Sequence, residues 1–273
     1  MAGLLVIMGS GETTPTMIKP HRSIFEKVGE RSAVILDTPY GFQSIADEVG
    51  ALTMADVSHV GGLIAGGALA NPLDAGFDIV TTTTHKSLRG PRGGMILCKS
   101  KLAQKIDQAV FPGMQGGPHM NAVAGIAVTL KLAAQPAFRV YAKQVLLNAS
   151  ALAKELQQRG CTLITGGTEN HLMVVDTIES FGIDGRVAEK ALDDAGLTVN
   201  KQVIPDDPHP PLRPSGIRLG TPALTTRGMK EQEMSHVAQW MVEAMQSHSS
   251  TAKLEELRAA VRTLCRRFPV PGL

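Results

Sequence analysis

The sequence predicts an α/β protein in which a long helix links two domains. Four short apolar runs have the length and composition of buried strands: residues 4–8, 32–36, 52–56 and 76–80. Two later segments, residues 121–132 and 138–159, repeat Ala, Val and Leu at helical spacing, and Gly160 follows as a C-cap. Such a mixture is typical of an α/β chain, and 273 residues can form one large domain or two ordinary ones.

The C-terminal part continues this alternation. Two apolar runs around a glycine turn predict strands at residues 161–165 and 172–176. Helical spacing then predicts three helices, at residues 184–195, 231–247 and 252–268. Between them, residues 205–214 contain so many prolines that they exclude both a helix and a central strand. This part therefore has the pattern of a small domain built from strands and helices.

Composition excludes several classes of function. The chain is 43% hydrophobic and 19% charged, and its net charge of +2 is too small to predict binding to nucleic acid or to an anionic membrane. Cys98, Cys161 and Cys265 lie far apart, which predicts neither a disulfide framework nor a metal site. The sequence has no basic leader and no apolar run near the roughly 20 residues that span a bilayer. A cytoplasmic protein is the expectation.

The first 43 residues differ from the rest. A predicted strand is followed by the glycine-rich segment 9–14, which is a weak signal for phosphate binding, and a second strand leads into Asp37-Thr-Pro-Tyr-Gly41. These βαβ-like features resemble the start of cyanophycinase-like serine hydrolases. In that family the nucleophilic serine lies well downstream, in a part with no counterpart here. A hydrolase is therefore the least supported function, and a join is expected near Gln43-Ser44.

Asp56 stands where α/β proteins place ligand-binding groups. It follows the predicted strand at residues 52–56, and the carboxyl ends of parallel strands form the usual binding edge of such a sheet. An aspartate in this position is equally suited to be the N-cap of a helix. His59, three residues later, fits a binding role or a place in the core. The residues alone leave both alternatives open.

Lys86 lies in the most informative stretch, Val80-Thr-Thr-Thr-Thr-His-Lys-Ser-Leu-Arg-Gly-Pro-Arg-Gly-Gly-Met95. A strand runs into four threonines, turns through glycines and prolines, and re-enters a strand at residues 95–98. A lysine that forms a Schiff base must be uncharged part of the time, which burial and neighbouring cations such as Arg89 and Arg92 favour. Hydroxyl groups and glycine amides beside it suit a phosphate. A lysine at the edge of a sheet is, taken alone, usually a solvated surface residue, but these neighbours are typical of a buried lysine that binds pyridoxal phosphate.

The segment TTTTHKSLRGPRGG closely resembles the cofactor-lysine segment of serine hydroxymethyltransferases, and the likeness extends from about Ser44 to the C-terminus. Asp56-Val-Ser-His59 is similar to the Asp-x-x-His of that family. The resemblance implies a fold-type I enzyme with pyridoxal 5'-phosphate on Lys86. It also implies that Asp56 faces the pyridine nitrogen. His59, Thr82 and His85 would line the cofactor, with Lys86 and His59 as catalytic residues.

The same resemblance assigns residues further along the chain. In that family the amides matching Gly116 and Gly117 approach the cofactor phosphate of a neighbouring subunit, which implies a homodimer with shared sites. Ser215-Gly-Ile-Arg-Leu-Gly-Thr-Pro-Ala223 resembles the segment whose arginine binds the substrate carboxylate, so Arg218 takes that role. The remaining substrate-binding residues would be His85 and, near the pterin of tetrahydrofolate, Pro210, Pro211 and Leu212.

The resemblance implies three segments and one reaction. Residues 1–43 would be unrelated, residues 44–145 a partial cofactor-binding domain with a mostly parallel sheet, and residues 146–273 a smaller α+β domain. The reaction would interconvert serine and glycine and transfer a one-carbon unit to tetrahydrofolate. In the family, an acid/base carboxylate and a phosphate cup come from the N-terminal part, so we expect impaired turnover. The alternative is a non-catalytic, truncated or chimaeric subunit.

Overall fold

A computed structural model describes residues 4–7, 43, 46–48 and 50–272 of the chain. The chain forms two compact units, with the boundary between Ala142 and Lys143. This boundary lies inside one long helix. The predicted strand at residues 32–36 and the glycine-rich segment 9–14 lie outside the described residues.

The first unit contains a four-stranded mixed sheet. Its strands are β1 (Leu4–Ile7), β2 (Leu52–Asp56), β3 (Ile79–Thr83) and β4 (Gly94–Cys98). They lie in sequence order. The pairs β1–β2 and β2–β3 are parallel, whereas β3 and β4 are antiparallel. The parallel pairing brings the carboxyl ends of β2 and β3 to the same edge, where the predicted binding residues follow.

The helices of the first unit follow β2 and β4 in the sequence. They are α1 (Gly61–Ala65), α2 (Ser100–Gln108), α3 (Met120–Ala133) and the start of α4 (Pro136–Gln158), which continues into the second unit. A π-helical segment, Ala109–Met114, continues α2. The first unit buries side chains of α1, the sheet and the segments between them, among them Val57, Leu63, Phe77, Val80 and Leu88. By contrast, α3 buries only Thr129 and Ala133.

Asp78 fixes the other end of β3. Its side chain is buried, and its Oδ2 accepts a hydrogen bond of 3.1 Å from the backbone N–H of Thr53 on β2. Lys99 and Lys101 lie 3.1 and 3.4 Å from its Oδ1. Burial alone would raise the pKa of Asp78, but the hydrogen bond from Thr53 and the two lysines lower it. The charge therefore ties β2, β3 and the start of α2 together, away from the edge where Asp56 lies.

The second unit contains an antiparallel sheet and five further helices. Its strands are β5 (Thr162–Leu163), β6 (Leu172–Asp176), β7 (Asn200–Gln202) and β8 (Gly216–Gly220), in the order β5-β6-β8-β7. Its helices are α5 (Thr177–Phe181), α6 (Gly185–Asp194), α7 (Pro222–Thr226), α8 (Glu231–Gln246) and α9 (Thr251–Arg267). One large cluster of apolar side chains, including Leu152, Leu192, Ile217 and Met245, is buried between them.

Most sequence-predicted elements are confirmed to within a few residues. One boundary differs clearly. The strand predicted at residues 76–80 begins at Ile79 and extends through Thr83, because Asp78 is bonded to Thr53 before the ladder starts and threonine suits a strand.

Within the described residues, no single helix is both long and apolar enough to cross a membrane. Helices α3 and α4 meet the criteria of length and apolar composition only if they are taken together as one bent segment. Among the same residues, no group of three or more His, Cys, Asp or Glu side chains could hold a metal ion.

Candidate cofactor and substrate site

The candidate site begins where β2 and β3 end side by side. Asp56, the last residue of β2, is in register with Thr81 of β3, and the N–H of Val57 donates to the Thr81 carbonyl at 2.9 Å. Thr82 is buried and follows in the same strand. The parallel ladder therefore places the residue that follows Asp56 against the strand that leads to Lys86.

The carboxylate of Asp56 is held in a fixed orientation. Its Oδ1 accepts hydrogen bonds from the Ser58 backbone N–H at 2.9 Å and from the Ser58 hydroxyl at 2.5 Å. Both bonds go to the same oxygen, so no described residue donates to Oδ2. This is an Asx-type turn rather than the N-cap of α1, which begins five residues later. Asp56 is half-buried, and its Oδ2 can accept a hydrogen bond from a ligand.

Lys86 lies in a tight turn that is closed by the backbone. The N–H of Arg89 donates to the Lys86 carbonyl at 2.9 Å, and the N–H of Gly90 donates to the Thr84 carbonyl at 2.8 Å. The N–H of Thr84 in turn donates to the Gly93 carbonyl at 3.1 Å, continuing the pairing of β3 with β4. We call residues 84–90 the lysine turn. Its ends are held together, so its tip projects from the sheet in one direction.

Ser87 joins the lysine turn to α1 and to His59. The Ser87 hydroxyl donates to the His59 carbonyl at 2.7 Å and accepts a bond from the Gly62 N–H at 2.9 Å. Both Ser87 and Leu88 are only 4% exposed. Ser87 therefore brings His59 and the lysine turn together, although 28 residues separate them.

Glycines in α1 make this contact possible. A Cβ at Gly62 would lie 2.2 Å from the Ser87 carbonyl oxygen, and a Cβ at Gly61 would lie 2.5 Å from the Thr82 hydroxyl. Neither distance is sterically possible, and the first obstacle is backbone. Glycine at these two positions therefore allows α1 to pack closely against β3 and the lysine turn.

The expectation that Lys86 is buried is wrong for the described chain, because its side chain is exposed. Ser87 and Leu88 occupy the side of the turn that faces α1, so the preceding residue faces outward. The neighbouring His85 is half-buried, and its Nδ1 is enclosed with no hydrogen-bond partner among the described residues. The amine of Lys86 is accessible, and beside it lies an enclosed imidazole nitrogen that a ligand could satisfy.

Gly116 and Gly117 follow the π-helical segment and are exposed. A Cβ at either position would meet no described atom within 4 Å. Within the described part of the chain, no hydrogen bond joins them to the lysine turn, whereas His59 is bonded to it through Ser87. Their amides are open to a ligand or to another chain, so the predicted phosphate contact stays a prediction.

Arg218 belongs to the second unit, at the centre of β8. Its backbone pairs with Val174 on β6 and with Asn200 on β7. Its neighbours Ile217 and Leu219 point into the apolar core, so the half-buried Arg218 side chain lies on the opposite face. Among the described residues, no carboxylate lies within ion-pairing distance of its guanidinium. A partly buried, unpaired arginine on a central strand is suited to bind a carboxylate ligand.

Asp207 organises the proline-rich loop that leads to Arg218. Its carboxylate accepts bonds from the Ser215 N–H at 2.9 Å, the Ser215 hydroxyl at 2.7 Å, the His209 N–H and the Ile204 N–H. Burial alone would raise the pKa of Asp207, but these four hydrogen bonds lower it to about 2. The loop is thus closed around one carboxylate.

The predicted folate residues of this loop, Pro210, Pro211 and Leu212, are all exposed. They are therefore open to a ligand. Leu212 is 76% exposed.

Sequence reasoning missed three residues that shape these sites. Ser58 orients Asp56, Ser87 holds the lysine turn to α1, and Asp207 closes the proline-rich loop. For Ser58 the signal was present, since an Asp-x-Ser sequence after a strand is typical of an Asx turn. For Ser87 the partners are set by tertiary packing, whereas Asp207 binds residues of its own loop.

Comparison with known proteins identifies the family. The family model described as SHMT, serine hydroxymethyltransferase, matches residues 30–241, which is well over half of the chain. The chain belongs to the serine hydroxymethyltransferase family. The match starts 14 residues before Ser44 and ends in α8. The predicted resemblance is therefore confirmed.

Two curated relatives, both described as serine hydroxymethyltransferase, are similar to this chain. The protein from Sorangium cellulosum is 50% identical over 232 residues, which cover 85% of this chain and 54% of the relative. The protein from Acidobacterium capsulatum is 50% identical over 230 residues, covering 84% and 53%. The chain thus spans about half the length of the curated relatives it matches.

The serine hydroxymethyltransferase family is a family of pyridoxal-phosphate-dependent transferases, and the residues of the first unit fit that cofactor. Among the described residues, Lys86 offers an accessible amine, Asp56 a carboxylate oxygen that accepts no hydrogen bond, and His85 an enclosed nitrogen without a partner. Lys86 and Asp56 would offer such a cofactor an attachment point and an acceptor for a protonated ring nitrogen. The fold agrees at the coarse level: the family assignment is matched by a mixed α/β chain with one mixed and one antiparallel sheet.

Proposed function

We propose that this chain binds pyridoxal 5'-phosphate through Lys86 and retains a serine/glycine hydroxymethyltransferase-like activity at a reduced rate. The observation that carries the proposal is the lysine turn, in which backbone bonds and Ser87 hold an accessible amine at the edge where Asp56 ends β2. When bound, the cofactor supplies an aldehyde group and an electron-withdrawing ring.

Each group of the chain would then have a separate role in binding the cofactor or the substrate. The Lys86 amine would hold the cofactor covalently through its aldehyde group. The Oδ2 of Asp56 would hold a proton at the ring nitrogen, with Ser58 keeping the carboxylate oriented for it. His59 and His85 would border the ring, and Arg218 would pair with the carboxylate of serine or glycine. Tetrahydrofolate would be the one-carbon acceptor, near Pro210, Pro211 and Leu212.

One observation supports a reduced rate. Lys86 is exposed, so water hydrates its amine and competes for the groups around it. We also propose a homodimer in which the Gly116 and Gly117 amides contact the cofactor phosphate of the partner.

Incubation with pyridoxal 5'-phosphate, reduction with borohydride and peptide mapping test cofactor binding. The expected result is a label at Lys86 that Lys86→Ala abolishes and that Lys131→Ala, an exposed lysine on α3, leaves unchanged. Absence of label at Lys86 would overturn the proposed binding. A serine-cleavage rate equal to that of a full-length relative would overturn the proposed impairment.

The second candidate is a non-catalytic subunit that associates with another protein. The observation in its favour is α3, which buries only two of its 14 residues and exposes Met120, Val128 and Leu132. An apolar surface of this kind is typical of a contact with another chain. Under this reading the chain would co-purify with a full-length homologue and would give no label at Lys86.

A further inference from the structure

Arg89, at the end of the lysine turn, has an unusual backbone conformation. Its φ is 63°, and Arg89 and Asp206 are the two non-glycine residues with positive φ in the part of the chain that the structure describes. Side chains other than Gly, Asn and Asp rarely adopt this region, because Cβ crowds the following carbonyl. The conformation persists only where surrounding contacts hold it.

Two aromatic rings of α4 provide such contacts. The Arg89 guanidinium carbon lies 4.0 Å from the centroid of the Tyr141 ring and 5.4 Å from that of Phe138. The two rings also pack against each other, with centroids 5.5 Å apart. Both are almost fully buried, at 9% and 3% exposure. A planar guanidinium over an aromatic face is a favourable cation–π contact, and here it spans about fifty residues of sequence.

The aromatic pair itself has a fixed position relative to α1. A Cβ at Gly66, just after α1, would lie 2.4 Å from the Ala142 Cβ and 3.4 Å from the Phe138 carbonyl oxygen. The end of α1 and the first turns of α4 are therefore in direct contact. Gly62 of α1 also contacts Ser87. The lysine turn is therefore held by α1 through Ser87 and by α4 through Arg89, near its C-terminal end.

We infer that Arg89 is a positioning residue for Lys86: its stacking on Tyr141 and Phe138 holds the strained exit of the lysine turn and so sets the direction of the Lys86 amine. The role of that amine rests on the proposed function, whereas the effect on the turn does not. Arg89 acts through the backbone, because its own N–H donates to the Lys86 carbonyl.

Four substitutions separate the stack from the backbone conformation. Arg89→Asn tolerates positive φ but loses the cation, whereas Arg89→Lys keeps a cation. Tyr141→Leu removes the closer ring, and Tyr141→Phe keeps it; the Tyr141 hydroxyl has no hydrogen-bond partner among the described residues. The matched control is Arg139→Gln, an exposed arginine on the same helix.

The first measurement is hydrogen exchange of the Arg89 and Gly90 amides without cofactor. Both amides should exchange about 3–10-fold faster in Arg89→Asn and Tyr141→Leu, which is the range expected for loss of one cation–π contact. Arg89→Lys should restore part of the protection, and Tyr141→Phe and Arg139→Gln should match wild type. Equal exchange in wild type and Arg89→Asn would overturn the inference whatever the cofactor does.

The second measurement is the rate at which pyridoxal 5'-phosphate and borohydride label Lys86, compared with the other lysines. Arg89→Asn and Tyr141→Leu should lower the share of label at Lys86, with partial rescue in Arg89→Lys. Normal labelling in Arg89→Asn, despite faster amide exchange, would overturn the assigned effect on the amine. No label at Lys86 in wild type would instead count against the proposed function and leave the exchange result to decide the role of Arg89.

Discussion

The two units of this chain bury their apolar residues to different extents. In the second unit, side chains from α4, the antiparallel sheet and the helices after it form one buried cluster. In the first unit, α3 and β4 expose much of their apolar surface. Of the fourteen large hydrophobic side chains that are exposed among the described residues, ten lie in the first unit. The second unit therefore has its own core, whereas the first presents apolar surface that favours a further contact.

The same substitution at a buried and at an exposed leucine of the second unit is the most direct test of the core described for that unit. Leu192 on α6 is fully buried in the core of the second unit. Leu192→Ala should lower the free energy of unfolding by about 3 kcal/mol, since it removes buried methyl groups and leaves a cavity. Urea denaturation followed by circular dichroism measures it. The control is Leu147→Ala, at a leucine on α4 that is 51% exposed; a similar loss there would contradict the contrast between core and surface.

A smaller effect is expected from the carboxylate that closes the proline-rich loop. The pKa of Asp207 is about 2, below its ordinary value of 3.8, so its stabilisation is complete above about pH 5 and is lost as the pH falls toward 2. Protonation should cost on the order of 1–2 kcal/mol, less than the full shift implies because the group is partly exposed.

The measurement is the free energy of unfolding between pH 6 and pH 2.5 for wild type and Asp207→Asn. Wild type should lose more stability over this range than the variant, which already lacks the charge. Asp193→Asn, at an exposed aspartate of α6, should keep the wild-type pH dependence. Parallel curves for wild type and Asp207→Asn would show that the four hydrogen bonds do not stabilise the ionised form.

The smallest effect on stability is expected in α3. Leu132 is 59% exposed, so Leu132→Ala should change the free energy of unfolding by less than about 0.5 kcal/mol. If α3 forms a contact between chains, the same variant should weaken self-association in sedimentation velocity experiments. A stability loss as large as that of Leu192→Ala would mean that α3 is covered within the chain, and the comparison between the units would fail.

The candidate site was predictable where its signal is local. The threonine run, the glycine–proline turn and Asp56 at the end of a strand are continuous in sequence, and they predicted the strand, the turn and the family. The burial of Lys86 was wrongly expected, because exposure depends on which face of the turn packs against α1. Ser87 and Leu88 occupy that face, and the spacing of residues in the lysine turn does not predict that they do.

The sequence by itself determined the family, the positions of most strands and helices, and the chemical types of the residues at the candidate site. These follow from short-range patterns: apolar periodicity sets an element, and a contiguous motif specifies a lysine with its polar neighbours. Only the tertiary structure decided that Arg89 stacks on Tyr141 and that Gly62 admits Ser87. Each of these contacts depends on how distant segments pack, because hydrogen bonds and ring contacts form only within a few ångströms.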